Sequence, residues 1–137
     1  MINYCLGFLF NKNETDVLLI EKQTPEWQRG YFNGIGGKVN TSESPLEAMT
    51  REFREEAGLD IEKWNRVISI GNDEWHCEIY ASKSDDIFNA KSLETEKVNI
   101  IGLHELDKYS LIPNLYWIIP LCQYSLNNRF NYSVRRD

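Results

Sequence analysis

An α/β fold of the α+β kind is predicted by three features of the sequence. Apolar, β-rich runs at Tyr4–Phe10, Asp16–Glu21, Arg66–Gly71, Trp75–Ser82 and Val98–Leu103 supply core strands. One stretch among them, Pro45 to Ala57, carries both a helix start and a helix stop signal. With 137 residues, 42% hydrophobic and 26% charged, the chain has the size and composition of one globular domain, expected to span residues 1–137.

Taken in order, the first two runs are separated by Asn11-Lys12-Asn13-Glu14, a hairpin loop. Thr24 to Gly30 holds Pro25 and Gly30 and reads as a loop leading into a short strand at Tyr31-Phe32-Asn33. Asn33-Gly34-Ile35-Gly36-Gly37-Lys38 reads as a glycine loop, where backbone carbonyls and N–H groups can come close to a ligand. The helix follows. Ser44 is its N-cap and Glu47 completes a capping box; Pro45 suits the first position, where no N–H is needed, and Gly58 provides a left-handed exit. At about 100° per residue, Leu46, Met49, Phe53 and Ala57 share an apolar arc, and Glu52, Glu55 and Glu56 share a neighbouring acidic one.

Ile61 to Trp64 bridges to the third long strand, and a turn at Asn72-Asp73 joins it to the fourth; alternation in both is imperfect. Lys83 to Lys97 is polar and reads as a loop, and His104 to Tyr109 as a helical turn. Asn114 is the expected N-cap of a second helix reaching about Ser125, kinked at Pro120, and Arg129 to Val134 is expected to add a late edge strand.

The net charge of −6 argues against a grip on nucleic acid polymers, which relies on basic patches. Cys5, Cys77 and Cys122 are odd in number and widely spaced, so neither a disulfide framework nor a zinc site is expected. The apolar opening is too short to span a membrane and lacks a basic leader, so the expectation is a cytoplasmic protein without membrane association. A monomer and a homodimer stay open.

Three glutamates on an arbitrary helix are usually a solvated acidic face. Here they follow a glycine segment at a fixed distance: Gly37, five residues, Glu43, seven residues, then Arg51-Glu52-Phe53-Arg54-Glu55-Glu56-Ala57-Gly58-Leu59. This resembles the Nudix box, with its nine fixed positions occupied over 23 of 137 residues. The resemblance implies a mixed β-sheet sandwiched between helices, and a hydrolase that cleaves phosphorus anhydrides with Mg²⁺, for which Mn²⁺ can substitute. Mg²⁺ prefers octahedral oxygen donors, and carboxylates beside a diphosphate suit it. By the same resemblance Glu52, Glu55 and Glu56, with the carbonyl of Gly37, are the metal ligands. Arg51 orients a carboxylate, and Glu43 supports geometry by pairing with Arg51. The general base stays open between Glu52 in the box and Glu96 or Glu94 in the later loop, because Glu96 to Leu103 resembles the corresponding segment of MutT-type triphosphatases.

The substrate expectation is a small nucleotide. Tyr31 to Val39 is similar to the segment of enzymes removing oxidised purine nucleoside triphosphates, which gives Asn33 a base-binding role. Pro113 to Leu121 resembles the late segment of the animal members. Their acidic residue near Asn114 and tryptophan near Ile112 are absent here, and an amide offers a different donor pattern from a carboxyl. Lys38 is a candidate phosphate contact, Asn114 a candidate base contact, and Trp27 and Trp117 candidate stacking platforms, although aromatics in small domains are more often core. His76 and His104 are read as structural. The leading expectation is a pyrophosphohydrolase converting a nucleoside triphosphate, such as 8-oxo-dGTP, to the monophosphate and pyrophosphate. The alternatives are hydrolysis of ADP-ribose or a dinucleoside polyphosphate, and a non-catalytic nucleotide-sensing module.

Overall fold

The computed structural model describes residues 1–128 and 132–135. Its elements are β1 (Ile2–Phe10), β2 (Asp16–Glu21), β3 (Phe32–Asn33), β4 (Ile35–Lys38), α1 (Pro45–Ala57), β5 (Asn65–Gly71), β6 (Trp75–Lys83), β7 (Val98–Gly102), α2 (Leu115–Asn128) and β8 (Tyr132–Arg135). Short 3₁₀ segments cover Glu26–Gln28, Asp85–Asn89 and Leu103–Lys108. The late strand thus overlaps the expected one at Tyr132–Val134, while Arg129–Asn131 lie outside the described residues.

β1 organises a mixed eight-stranded sheet in the order β3-β2-β1-β6-β5-β8, with β4 also paired to β1 and β7 to β2. One edge of β1 runs parallel to β6 along its whole length. The other edge is divided, Leu9 and Phe10 pairing with β2 and Tyr4 to Gly7 with β4. That division brings the box segment alongside the central strand.

Both faces of the sheet are covered, which explains why the strands read as continuous apolar runs with imperfect alternation. Phe8, Phe10, Val17, Leu19, Val67 and Ile79 form a layer with Leu115, Ile118, Ile119 and Cys122 of α2. Cys5, Leu9, Leu18, Ile20, Ile35 and Tyr80 form another with Ala48, Met49, Phe53 and Ala57 of α1. Pro120 lies on the exposed side of α2, which continues through it to Asn128.

Two expectations are corrected here. The glycine segment is not a loop: Ile35–Lys38 is strand β4, and a Cβ on Gly36 would lie 1.9 Å from the Cys5 carbonyl oxygen, so glycine permits close strand approach. Leu46 does not belong to the buried face of α1, being 43% exposed, and Ala48 is buried instead. The buried arc runs from Ala48 to Ala57, and at about 100° per residue Glu52 and Glu56 fall inside it. The acidic arc is therefore turned partly toward the sheet instead of wholly toward water.

Candidate active site

Local chemistry fixes α1 at both ends. The Glu47 N–H donates to Ser44 Oγ at 3.1 Å and the Ser44 N–H to Glu47 Oε1 at 2.8 Å, closing the capping box. Gly58 exits with φ 67°, in the left-handed region where a side chain would be strained. Phe53, fully buried, packs on Trp64 with ring centroids 4.7 Å apart and holds the helix on the sheet.

Arg51 organises the residues around it. Its Nε donates to Glu43 Oε2 at 3.0 Å and one terminal nitrogen donates to Glu43 Oε1 at 2.7 Å, a two-pronged pair that also reaches the Lys38 carbonyl at 3.0 Å. The other terminal nitrogen donates to Glu52 Oε1 at 3.0 Å and Glu55 Oε2 at 3.2 Å. Arg51 thus orients three carboxylates where the sequence suggested one or two. Its hydrogen bonds hold Glu43 below the usual carboxylate range, helped by the Asn40 N–H.

Glu52 lies against Gly37, where a Cβ would come within 2.7 Å of its Oε1. Burial raises its affinity for a proton, against the pull of Arg51. Glu56 goes further: its Oε2 is buried and has no hydrogen-bond partner. Burial first, then the charge of Glu52, push its pKa up to about 8, opposed by Lys22. Glu55 remains half exposed. An unpartnered buried carboxylate oxygen beside a second desolvated carboxylate is a site short of positive charge. Oxygen-only donors of this kind fit a hard divalent cation. Among the described residues no group of three or more His, Cys, Asp or Glu side chains is already gathered into a ligand shell, and Arg51 stands between Glu52 and Glu55 instead.

Glu96 is differently placed. It accepts from Lys22 Nζ at 2.9 Å, from the Gln23 N–H at 2.6 Å and from the Thr24 N–H at 3.1 Å, and these bonds outweigh burial to lower its pKa. The loop carrying it is tied to the end of α1, the Lys91 N–H donating to the Ala57 carbonyl and the Leu93 N–H to that of Glu56.

A family model described as the NUDIX domain matches residues 5–121. The chain belongs to the Nudix hydrolase family. Members generally use divalent metal ions. A 72-residue stretch is 24% identical to an 8-oxo-dGTP diphosphatase of Proteus vulgaris, spanning 53% of this chain and 63% of that relative. Among solved structures, a MutT from work on Aliivibrio salmonicida and Vibrio cholerae matches with TM-score 0.75 and 20% identity, over 90% of this chain and 98% of that one. The NUDIX domain of Shewanella oneidensis NrtR, complexed with ADP ribose, matches with TM-score 0.78 and 15% identity, over 92% and 88%. At these identities the structural likeness establishes the fold.

The remaining expected residues of this Nudix protein fall into two groups. Backbone pairing of Phe32 with Ser110 and Ile112 brings the segment before α2, with Asn114 at its end, beside Asn33. Asn33 Oδ1 accepts the Gly34 N–H at 2.8 Å, and the Asn114 carbonyl starts α2 by accepting from Trp117 and Ile118. Trp27, 68% exposed, sits in the Glu26–Gln28 turn, and Trp117 is 41% exposed on α2. Neither belongs to a ring pair among the described residues, where Phe32–Tyr109 and Phe53–Trp64 are the pairs. Lys38 is exposed at the end of β4, beside a cleft of about 690 Å³ also bounded by Asn3, Glu43, His76 and Glu78. His76 bonds Glu78 at 2.7 Å, and Glu78 also receives Arg66 and Ser69, in keeping with a structural histidine.

Lys22 was not visible as a site residue in the sequence. It is an isolated lysine after a strand, and its partner is 74 positions away. The one signal was that Glu96 was already a candidate from the later loop.

Proposed function

We propose that this Nudix protein is a pyrophosphohydrolase that converts a nucleoside triphosphate and water to the nucleoside monophosphate and pyrophosphate. The observation that carries this reading is the buried, unpartnered Oε2 of Glu56 beside Glu52, a recess of desolvated carboxyl groups that a cation would complete on displacing the Glu56 proton. Mg²⁺, or Mn²⁺ in its place, would be held by Glu52, Glu55 and Glu56 with the Gly37 carbonyl. When bound it supplies neutralisation of phosphate oxygens and a more acidic water.

The chain's own residues do the rest. Arg51 keeps Glu52 and Glu55 turned toward one another while Glu43 fixes its guanidinium from behind. Glu55, half exposed, is the carboxylate free to trade its bond to Arg51 for another partner. We assign proton acceptance from the attacking water to Glu52, whose proton affinity is raised by burial against the pull of Arg51. Asn33 and the Asn114 segment, brought side by side, are assigned to the base, and Lys38 to a phosphate. An oxidised purine is the favoured base, supported by the Proteus vulgaris relative. The three cysteines are free thiols, which suits the cytoplasm.

The test is a panel of nucleoside triphosphates, 8-oxo-dGTP, ADP-ribose and a dinucleoside polyphosphate with Mg²⁺, scored for pyrophosphate against orthophosphate. Release of pyrophosphate from a triphosphate is expected. Turnover confined to ADP-ribose or the dinucleotide would replace the substrate class. Binding of any of them without turnover would establish a sensing module instead.

A further inference from the structure

Glu96 matches the position from which a second base was expected, yet its surroundings are those of a structural anchor. Its carboxylate is 16% exposed and accepts three bonds, from the Lys22 ammonium and from two successive backbone N–H groups, Gln23 and Thr24. Those three residues are the root of a loop. The loop closes on itself at its neck, where the Lys22 N–H donates to the Tyr31 carbonyl at 2.8 Å and the Gly30 N–H to the Lys22 carbonyl at 2.9 Å. Trp27, largely exposed, is carried between root and neck, and the strand leaving the neck leads directly to Asn33.

Glu96 is itself held from two sides. Lys91 and Leu93 bond the end of α1 at Ala57 and Glu56, and the Glu21 N–H donates to the Lys97 carbonyl at 2.9 Å. The segment from 91 to 97 therefore runs from the carboxylate helix to the root of the tryptophan loop, with Glu96 as its contact. A carboxylate saturated by an ammonium and two amides stabilises its anion and leaves little capacity to accept a further proton.

We propose that Glu96 is a positioning residue that pins Lys22 to Thr24, and through them sets the loop bearing Trp27 and the strand to Asn33 against the carboxylate helix, instead of serving as the general base. The consequence is specific: Glu96 governs how tightly the nucleoside end is held and not the rate of the phosphate step. This rests on the pyrophosphohydrolase reading, but the anchor itself can be tested without turnover.

The experiment compares wild type with Glu96→Gln and Glu96→Ala in two ways. Amide exchange of Gln23 and Thr24 is followed by NMR, and kcat and KM are measured for the best triphosphate in the panel. Gln retains a carbonyl oxygen able to accept both amides, so Glu96→Gln should keep their protection and hold kcat within about threefold of wild type. Glu96→Ala should speed exchange of both amides at least about tenfold and raise KM about tenfold, with kcat again within about threefold. A drop in kcat of a hundredfold or more in Glu96→Gln, with both amides still protected, would make Glu96 the base and overturn the proposal. Unchanged exchange in Glu96→Ala would overturn the anchor. A wild type inactive on every nucleotide would refute the pyrophosphohydrolase reading while the exchange result still decided the anchor.

Discussion

Glu96 is near enough to Glu56 for its charge to raise the cost of ionising Glu56, yet the two environments differ in kind. Glu96 is given an ammonium and two amides, and its proton affinity falls. Glu56 is given burial, a neighbouring carboxylate and one oxygen with no partner, and its proton affinity rises to about 8. A carboxylate whose bonding is complete within the chain is structural. One left incomplete by the same fold has bonding capacity to spare, and it is this capacity that the proposed function assigns to a divalent cation.

The largest test of this contrast loosens the helix that carries Glu56. Phe53→Ala deletes a fully buried ring beneath α1 and should cost ~3 to 5 kcal/mol, seen as a lower denaturant midpoint. An unchanged midpoint would mean that the helix is not held through Phe53. Next comes Glu56→Gln, which keeps shape and removes charge. Turnover should fall by about a hundredfold or more, while the fold, followed by circular dichroism, is kept. Wild-type turnover at limiting Mg²⁺ would show that the unpartnered oxygen has no part in the chemistry.

Smaller effects sharpen the same comparison. Because the folded pKa of Glu56 lies above its ordinary 4.5, the folded state binds the extra proton. Its contribution to the stability of metal-free protein is complete below about pH 4.5 and is lost as pH rises toward about 8, with a slope of at most about 1.4 kcal/mol per pH unit. Unfolding curves at several pH values should show this fall in wild type but not in Glu56→Gln. Parallel pH profiles for the two proteins would contradict the assigned shift. Smallest is Asn33→Ala, expected to cost ~0.5 to 1.5 kcal/mol in kcat/KM for the preferred base and to bring competing bases closer together. Equal losses for every base would leave Asn33 with only its bond to the Gly34 amide.

Much of this was legible in the chain because the signals were local. Ser44, Glu47 and Gly58 marked the ends of α1, and the spacing from Gly37 to Glu56 marked the carboxylates. What escaped was tertiary. Gly36 and Gly37 read as a loop because glycine usually interrupts strands, whereas here the β1 backbone leaves no room for a side chain at Gly36, and one at Gly37 would displace the Glu52 carboxylate. Leu46 read as core because periodicity gives an arc but not which part of it the sheet covers. The bond of Glu96 to Lys22 joins two loops 74 residues apart, a contact no local pattern encodes.

The most direct measurement is calorimetric titration of the metal-free protein with Mn²⁺ at pH 7, repeated in buffers of different ionisation enthalpy to count protons released. With a pKa of about 8, Glu56 is mostly protonated there and must give up its proton to bind. The account predicts release of close to one proton per ion in wild type, shrinking toward zero as pH rises past about 9, and none from Glu56→Gln. Tight binding to wild type at pH 7 with no proton released would contradict it.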